Sequence, residues 1–513
     1  MTTSDFTSIL YFDPADAGTG QGDEPAFFGD LNLDQLVASM TVGRESYDLA
    51  PFFHQTLGSI DAILYRNEVM RDHEQEHTHA SIVAFGEAMA DMRTMLEQVA
   101  KRHYRYQKEA WFVGAAEKYC GAVTRLFAEL DAQGVTSRAM TGFVDFLRAY
   151  TGSDDFVSLV TEIGSLRSRL GDIRYCVHLY GSKVSVSRFE DDPDYSAEVL
   201  STFAKFKEQD PKNYLTKLSV WADMDHVEAQ ILDRVAKLYP DEFAELDDFC
   251  QRRTTYPDTC VERFDREVQF YLCYLEYITG LKDAGLSFCY ATLSTDSKQE
   301  EVVQTFDPTL ADKLVRERST VVCNDFHLDE PERIFVVSGP NQGGKSTFAR
   351  TFGQLHFLAS LGLPVPGAKV QLFLFDQLFT HFERQEDVRS LHGKLEVELI
   401  RVHDILERAT PHSVIIMNEI FTSTTLRDAL SLGQKIMARL MELDVLCVYV
   451  TFVDELATFS DTTVSVVSEI IPVDPAKRTY KITRRPADGL AHAGVLADTY
   501  GLSYDRLKER IAS

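Results

Sequence analysis

Gly339, Gly344, Lys345 and Ser346 fall on the pattern G-x-x-x-x-G-K-[ST] within the stretch Gly339-Pro340-Asn341-Gln342-Gly343-Gly344-Lys345-Ser346-Thr347. Glycines there let backbone N–H groups close around phosphates, the lysine reaches the outer phosphates, and the serine hydroxyl is a magnesium ligand. The ligand these residue types fit together is ATP with Mg2+. The pattern alone is loose, and its surroundings give it weight. Ile334 to Val337 is a short β-branched and aromatic run just before the loop, and the sequence from Ser346 onward has helical composition. The loop is therefore expected to join a buried strand to a helix N-terminus, where backbone donors and the helix dipole favour an anion.

Such a loop needs a sheet to hold it. From about residue 301 short strands and helices alternate: Ile334–Ser338, Ser413–Met417, Val445–Thr451 and Val464–Ile471 are the candidate strands, with helices at Leu395–Arg408 and Leu426–Leu443. This alternation implies an α/β domain over 301–513 with a mostly parallel sheet and the loop at a strand's C-terminal end. Residues 31–300 read as mainly α-helical: Leu33, Leu36, Val37 and Met40, then Ile60, Ile63, Leu64 and Val69, recur at helical spacing. The exception is Ile173 to Phe189, where Tyr175, Val177 and Leu179, then Val184 and Val186, alternate around Gly181-Ser182 and predict a β-hairpin closed off by Asp191-Asp192-Pro193-Asp194. Residues 1–30 contain many Gly, Asp, Thr and Pro without a period and read as a tail or an irregular lead-in.

At 513 residues, 44% hydrophobic and 26% charged, the chain has the composition of a soluble protein of several domains. No apolar run reaches the ~18 residues of a membrane span, and Met1-Thr2-Thr3-Ser4-Asp5 has no leader-like character, so a cytoplasmic protein without membrane association is expected. Eight scattered cysteines without a C-x-x-C pair indicate neither zinc nor a disulfide framework. Net charge is −27, with 57 acidic against 32 basic residues in 1–330 and 22 against 20 in 331–513. The acidity of the first part disfavours unselective, charge-driven nucleic-acid binding there. His73 and His77, with Glu76 between, share an i, i+4 spacing but lack third and fourth ligands, so they read as a solvated helix face. Trp111, Phe112 and the run Phe270 to Tyr274 read as core at helical spacing.

Five ordered motifs, which with a lead-in at Asn324 and a tail ending at Ile511 span about 190 residues, resemble one family, the ATPase domain of MutS-like DNA mismatch repair proteins, itself related to the ABC-type ATPases. They are Gly339 to Thr347, with Gln342 where the family favours Met; Pro364 to Val370; Asp387 to Leu399, ending in Val397-Glu398-Leu399; Asn418-Glu419-Ile420 followed by Ser423-Thr424-Thr425; and Thr451 with Glu455-Leu456. Asn324 to Leu328 is similar to the family's lead-in to the nucleotide site, and Asp61 to Asn67 to part of its core and lever region. The resemblance implies an ABC-type phosphate-loop ATPase domain behind a helical core and lever. It also implies a homodimer, with the helix–turn–helix tail Gly494 to Ile511 as its dimerising element.

Departures from the family pattern shape the function it implies. About 30 residues before the helical region leave no room for a mismatch-reading domain and connector, which the chain is expected to lack. The family's Asp-Glu is Asn418-Glu419 here: Glu419 keeps the position that orients the attacking water, while Asn418 can bond a magnesium-bound water without adding charge. Gly393-Lys394 stand where a Ser-Thr pair reaches the partner's γ-phosphate, and Lys394 is either a source of positive charge in the transition state or a solvated residue at a helix start. Phe452 replaces the His expected after Thr451, so hydrolysis is expected to be slow. Two functions follow. One is a dimeric ATPase moving a helical lever and clamp on DNA; the other is an ATP-dependent switch whose acidic lever region engages a protein partner.

Overall fold

The structure of the chain, a computed structural model, describes residues 6–13, 23–181, 183–190, 224–383, 393–471 and 474–487. The chain forms two compact units, one of Met1–Asp5, His77–Val135 and Gly142–Asp265, the other of Phe6–Glu76, Thr136–Thr141 and Arg266–Ser513. A single cut near residue 300 therefore does not describe the division, because the α/β unit gathers early helical segments as well as the C-terminal strands.

Among its described residues the first unit is helical apart from one hairpin. Helices Asp154–Gly171 and His226–Leu238 begin where short polar side chains cap free N–H groups: Ser153 accepts from Phe156 N–H at the start of the first, and Asp225 with Glu228 forms a reciprocal capping box at the start of the second. Aromatic rings fill the interior. Phe143 and Phe264 stack at 3.7 Å, and the Tyr119 and Tyr150 hydroxyls share a hydrogen bond of 2.9 Å. Phe112 packs edge-on against Phe249 and Tyr256, the core role expected for it. The hairpin pairs Tyr175–Tyr180 with Lys183–Arg188 in the register Val177↔Val186 and Leu179↔Val184. Gly181 at its turn has φ of 58°, a backbone region glycine enters without penalty.

The second unit is α/β. Its main sheet runs Leu378–Phe382, Val414–Asn418, Leu446–Val450, Ile334–Ser338, Thr463–Ile471, Asp474–Arg484; the first five are parallel and the last is antiparallel. Val336, Ile415, Met417, Cys447 and Tyr449 are buried in its core. Such β-branched runs, buried on both faces, are what a parallel sheet between layers requires. A smaller four-stranded sheet runs Thr292–Ser294, Lys369–Phe373, Glu300–Thr305, Asn324–Leu328. Helices Lys345–Ser360, Lys394–Arg408 and Leu426–Glu442 follow main-sheet strands in sequence. Phe270 to Tyr274 are all buried, as expected of core.

Two expectations need correction. The N-terminal segment is irregular but not a tail, since Ser8, Ile9, Leu10 and Tyr11 are almost fully buried. Side chains satisfy its backbone and polar groups: Ser8 Oγ and Ile9 N–H donate to the two oxygens of Glu267 at 2.9 Å, and the Tyr271 hydroxyl donates to Ile9 C=O at 2.6 Å. His73 and His77 do not share a helix face either, because helix Ile60–His73 ends before the next begins at Glu76. His73 is buried, its Nδ1 against Val69 C=O at 2.9 Å and its ring against Tyr271. It is a core histidine and not part of a solvated face.

Candidate functional site

Strand Ile334–Ser338, buried throughout, lies between two parallel neighbours and delivers its C-terminal end to the glycine loop. Gly339 and Gly344 have φ of 113° and 97°, and Gln342 of 59°, so the loop turns through left-handed backbone three times before helix Lys345–Ser360 begins. Gly343 is held by close contact. Its carbonyl accepts from Ser468 Oγ at 2.7 Å, and a Cβ placed there would lie 2.2 Å from that oxygen. Gly343→Ala is accordingly expected to destabilise the chain by about 1–3 kcal/mol in denaturant unfolding. Adding Ser468→Gly, which removes the clashing atoms, should recover about 1 kcal/mol or more of that loss, and strictly additive effects would refute the contact.

Lys345 is 5% exposed and its ammonium lies inside the loop, donating to Gly339 C=O at 2.9 Å, Asn341 Oδ1 at 3.2 Å and Pro340 C=O at 3.4 Å. Glu419 Oε1 is 3.5 Å from the same nitrogen. Ser346 is half-buried at the start of the helix. Strand Val414–Asn418 ends beside them, and Asn418 is 7% exposed with its Oδ1 buried and without a hydrogen-bond partner among the described residues. Glu419 follows at φ of 54°, its N–H donating to Val450 C=O at 3.0 Å. Thr451 N–H donates to Val337 C=O and its Oγ1 accepts from Val453 N–H, while Phe452 points into solvent at 47% exposure. The fold thus brings Lys345, Asn418 and Glu419 to the same end of two strands separated by Leu446–Val450, from positions more than seventy residues apart in sequence.

Lys394 stands elsewhere in its bonding. It donates to Glu383 Oε1, which also accepts from Thr422 Oγ1 at 3.3 Å, and the Lys394 bond holds the Glu383 carboxyl below its ordinary value. Residues 384–392, which include Asp387, and the tail Gly494 to Ile511 lie outside the described residues.

Two features of the site go beyond what the motifs alone indicate. A cavity of about 280 Å³ opens beside the loop, lined among others by Val321, Val322, Asn324, Gly344, Thr347 and Tyr480. Asn324 ties its rim together: Nδ2 donates to Tyr480 C=O at 3.2 Å and Oδ1 accepts from Ile482 N–H at 2.8 Å. Tyr480 has φ of 60°, an outlying conformation for a bulky residue, and such strain concentrates at functional sites. The second feature is Glu398, 6% exposed, whose Oε2 accepts from Phe421 N–H at 3.0 Å. Burial pushes its carboxyl above the usual value against the pull of that bond. The sequence signal for Glu398 was its place in a motif; for Tyr480 there was none.

Residues 335–507 match the family MutS domain V. The C-terminal part of the chain is thus similar to the MutS family. The DNA mismatch repair protein MutS of Thermotoga neapolitana is 30% identical over 185 residues, 36% of this chain and 23% of that protein. MutS of Shouchella clausii is 37% identical over 128 residues, 25% of this chain and 15% of that protein. MutS of Rickettsia bellii is 27% identical over 210 residues, 39% of this chain and 23% of that protein. The match therefore spans less than a quarter of these MutS relatives. The MutS-like segment coincides with the sheet and loop just described, and no helix among the described residues is long and apolar enough to cross a membrane.

Proposed function

We propose that this MutS-like chain binds ATP·Mg2+ at Gly339–Thr347 and hydrolyses it slowly, as an ABC-type homodimer whose nucleotide state drives a helical lever and clamp on DNA. The observation that carries the reading is the enclosed Lys345 ammonium within 3.5 Å of Glu419, beside an Asn418 oxygen that is buried and unpartnered among the described residues. In this reading Lys345 exchanges loop carbonyls for phosphate oxygens, and loop N–H groups cradle the same phosphates. Glu419 orients the attacking water and takes its proton. Ser346 and Asn418 fit a magnesium ion, the serine as a direct ligand and the asparagine as acceptor for a bound water, and the ion when bound neutralises phosphate charge. The cavity at Tyr480 and Asn324 is where the base stacks. Lys394 contributes charge to a second copy only once it leaves Glu383, and the exposed Phe452, which has no proton to give, supports slow turnover.

The excess of 25 acidic residues in 1–330 favours a second reading, an ATP-dependent switch on a protein partner. The two separate in one experiment. Binding to duplex, mismatched, branched and single-stranded DNA is measured over a salt series with and without ATP. The DNA reading expects ATP-dependent binding with a steep slope of log K on log salt, about −0.9 per phosphate neutralised on duplex. No binding to any of the four, or a flat slope, would reject DNA in favour of the protein partner.

A further inference from the structure

We propose that Glu398 is a positioning residue for Glu419, holding the turn after strand Val414–Asn418 in the conformation that hydrolysis needs. This rests on the reading of Glu419 as the residue that acts on the attacking water. Glu419 and Phe421 both have positive φ, 54° and 62°, within three positions and without a glycine between them. Side chains crowd the backbone there, so the conformation persists only where neighbours impose it.

Two bonds bracket the turn. On one side Glu419 N–H donates to Val450 C=O at 3.0 Å, a contact to the neighbouring strand; on the other Phe421 N–H donates to Glu398 Oε2 at 3.0 Å, a contact to helix Lys394–Arg408. Ile420 and Phe421, 5% and 1% exposed, leave the turn no room to relax outward. The next residue, Thr422, bonds Glu383, which Lys394 also grips. The turn therefore follows helix Lys394–Arg408 at two points, and Glu398 supplies the buried one. Removing its carboxylate leaves Phe421 N–H buried without this acceptor and removes the restraint that keeps both residues left-handed. The Glu419 side chain, aimed at Lys345 by that backbone, would then swing away.

The test uses the full chain in four variants beside wild type, Glu398→Ala, Glu398→Met, Glu398→Gln and Glu419→Gln, with steady-state phosphate release and titration of a fluorescent, non-hydrolysed ATP analogue. Glu398→Ala should lower kcat about 10- to 100-fold, the loss typical of a catalytic group displaced by about an ångström, with analogue affinity within about twofold. Glu398→Met keeps the volume without the acceptor and should show the same loss, so the test survives an alanine variant that fails to fold. Glu398→Gln retains an acceptor oxygen and should recover to within about threefold of wild type. Wild-type kcat in Glu398→Met, or a Glu398→Gln as slow as it, overturns the proposal. Wild-type turnover in Glu419→Gln overturns instead the reading on which it rests.

Discussion

Glu419→Gln should lower ATP turnover by about 100-fold or more while leaving nucleotide affinity within about threefold, because glutamine keeps the shape and reach of the side chain but cannot take a proton. The geometry favours this separation of effects. Glu419 sits at the end of a buried strand with its backbone fixed to Val450, and its carboxylate is 3.5 Å from Lys345. Neutralising it frees the lysine from a competing anion, so the phosphates lose nothing they depend on. Phosphate release and analogue titration on the same preparation give both numbers. Asn418→Asp is the natural companion: it places a charge where an unpartnered oxygen is buried, and at limiting magnesium it should raise the rate by about tenfold. A fall in rate would mean that the pocket has adapted to a neutral side chain there and that slow turnover has another cause.

Lys345→Ala should weaken nucleotide binding by about 100-fold, equivalent to about 2.7 kcal/mol, the scale of one or two charge-assisted hydrogen bonds. Its ammonium now serves Gly339 C=O, Pro340 C=O and Asn341 Oδ1, so it is already held inside the loop, and binding exchanges these acceptors for phosphate oxygens without ordering a free side chain. Arginine is not a conservative replacement, since a planar fork cannot occupy the space of a compact ammonium that is 5% exposed. Equal analogue affinity for wild type and Lys345→Ala would remove the loop from the nucleotide reading altogether.

Fold and site were legible to different depths, for physical reasons that particular residues illustrate. Strand Ile334–Ser338 was readable to the residue, and Val414–Asn418 and Leu446–Val450 nearly so, because buried parallel strands announce themselves as β-branched runs. Strand Leu378–Phe382 did not, as Thr380 and His381 interrupt its apolar run. Thr380 is tolerated in the interior because its hydroxyl donates to Asp30 at 2.7 Å, a partner 350 positions away that no local pattern reveals. The buried N-terminal segment was missed for the same reason, its backbone and polar groups being satisfied by Glu267 and Tyr271. At the site, residue types and spacing pointed to Lys345, Asn418 and Glu419. The left-handed backbone of Glu419, Phe421 and Tyr480 is a property of the fold and could not be read from side-chain identities.

The seat of the glycine-loop helix also governs how the chain reaches its native state. Gln354 on that helix donates to Leu31 C=O across 323 positions, Arg66 reaches Leu361 C=O across 295, and a Cβ at Gly353 would lie 2.8 Å from Leu31. During synthesis Leu31 and Arg66 emerge long before their partners, with the whole helical unit between them. Contacts of such long range pay their loop-closure entropy late, so the α/β unit should complete slowly while the inserted helices, whose contacts are local, finish first. In the interval Ile9, Leu10, Phe28 and Leu31, almost fully buried in the finished molecule, present apolar surface to chaperones and to other nascent chains. Expression yield should respond to translation rate and temperature, and a fragment starting at residue 301 would lack the surface against which its own central helix is built.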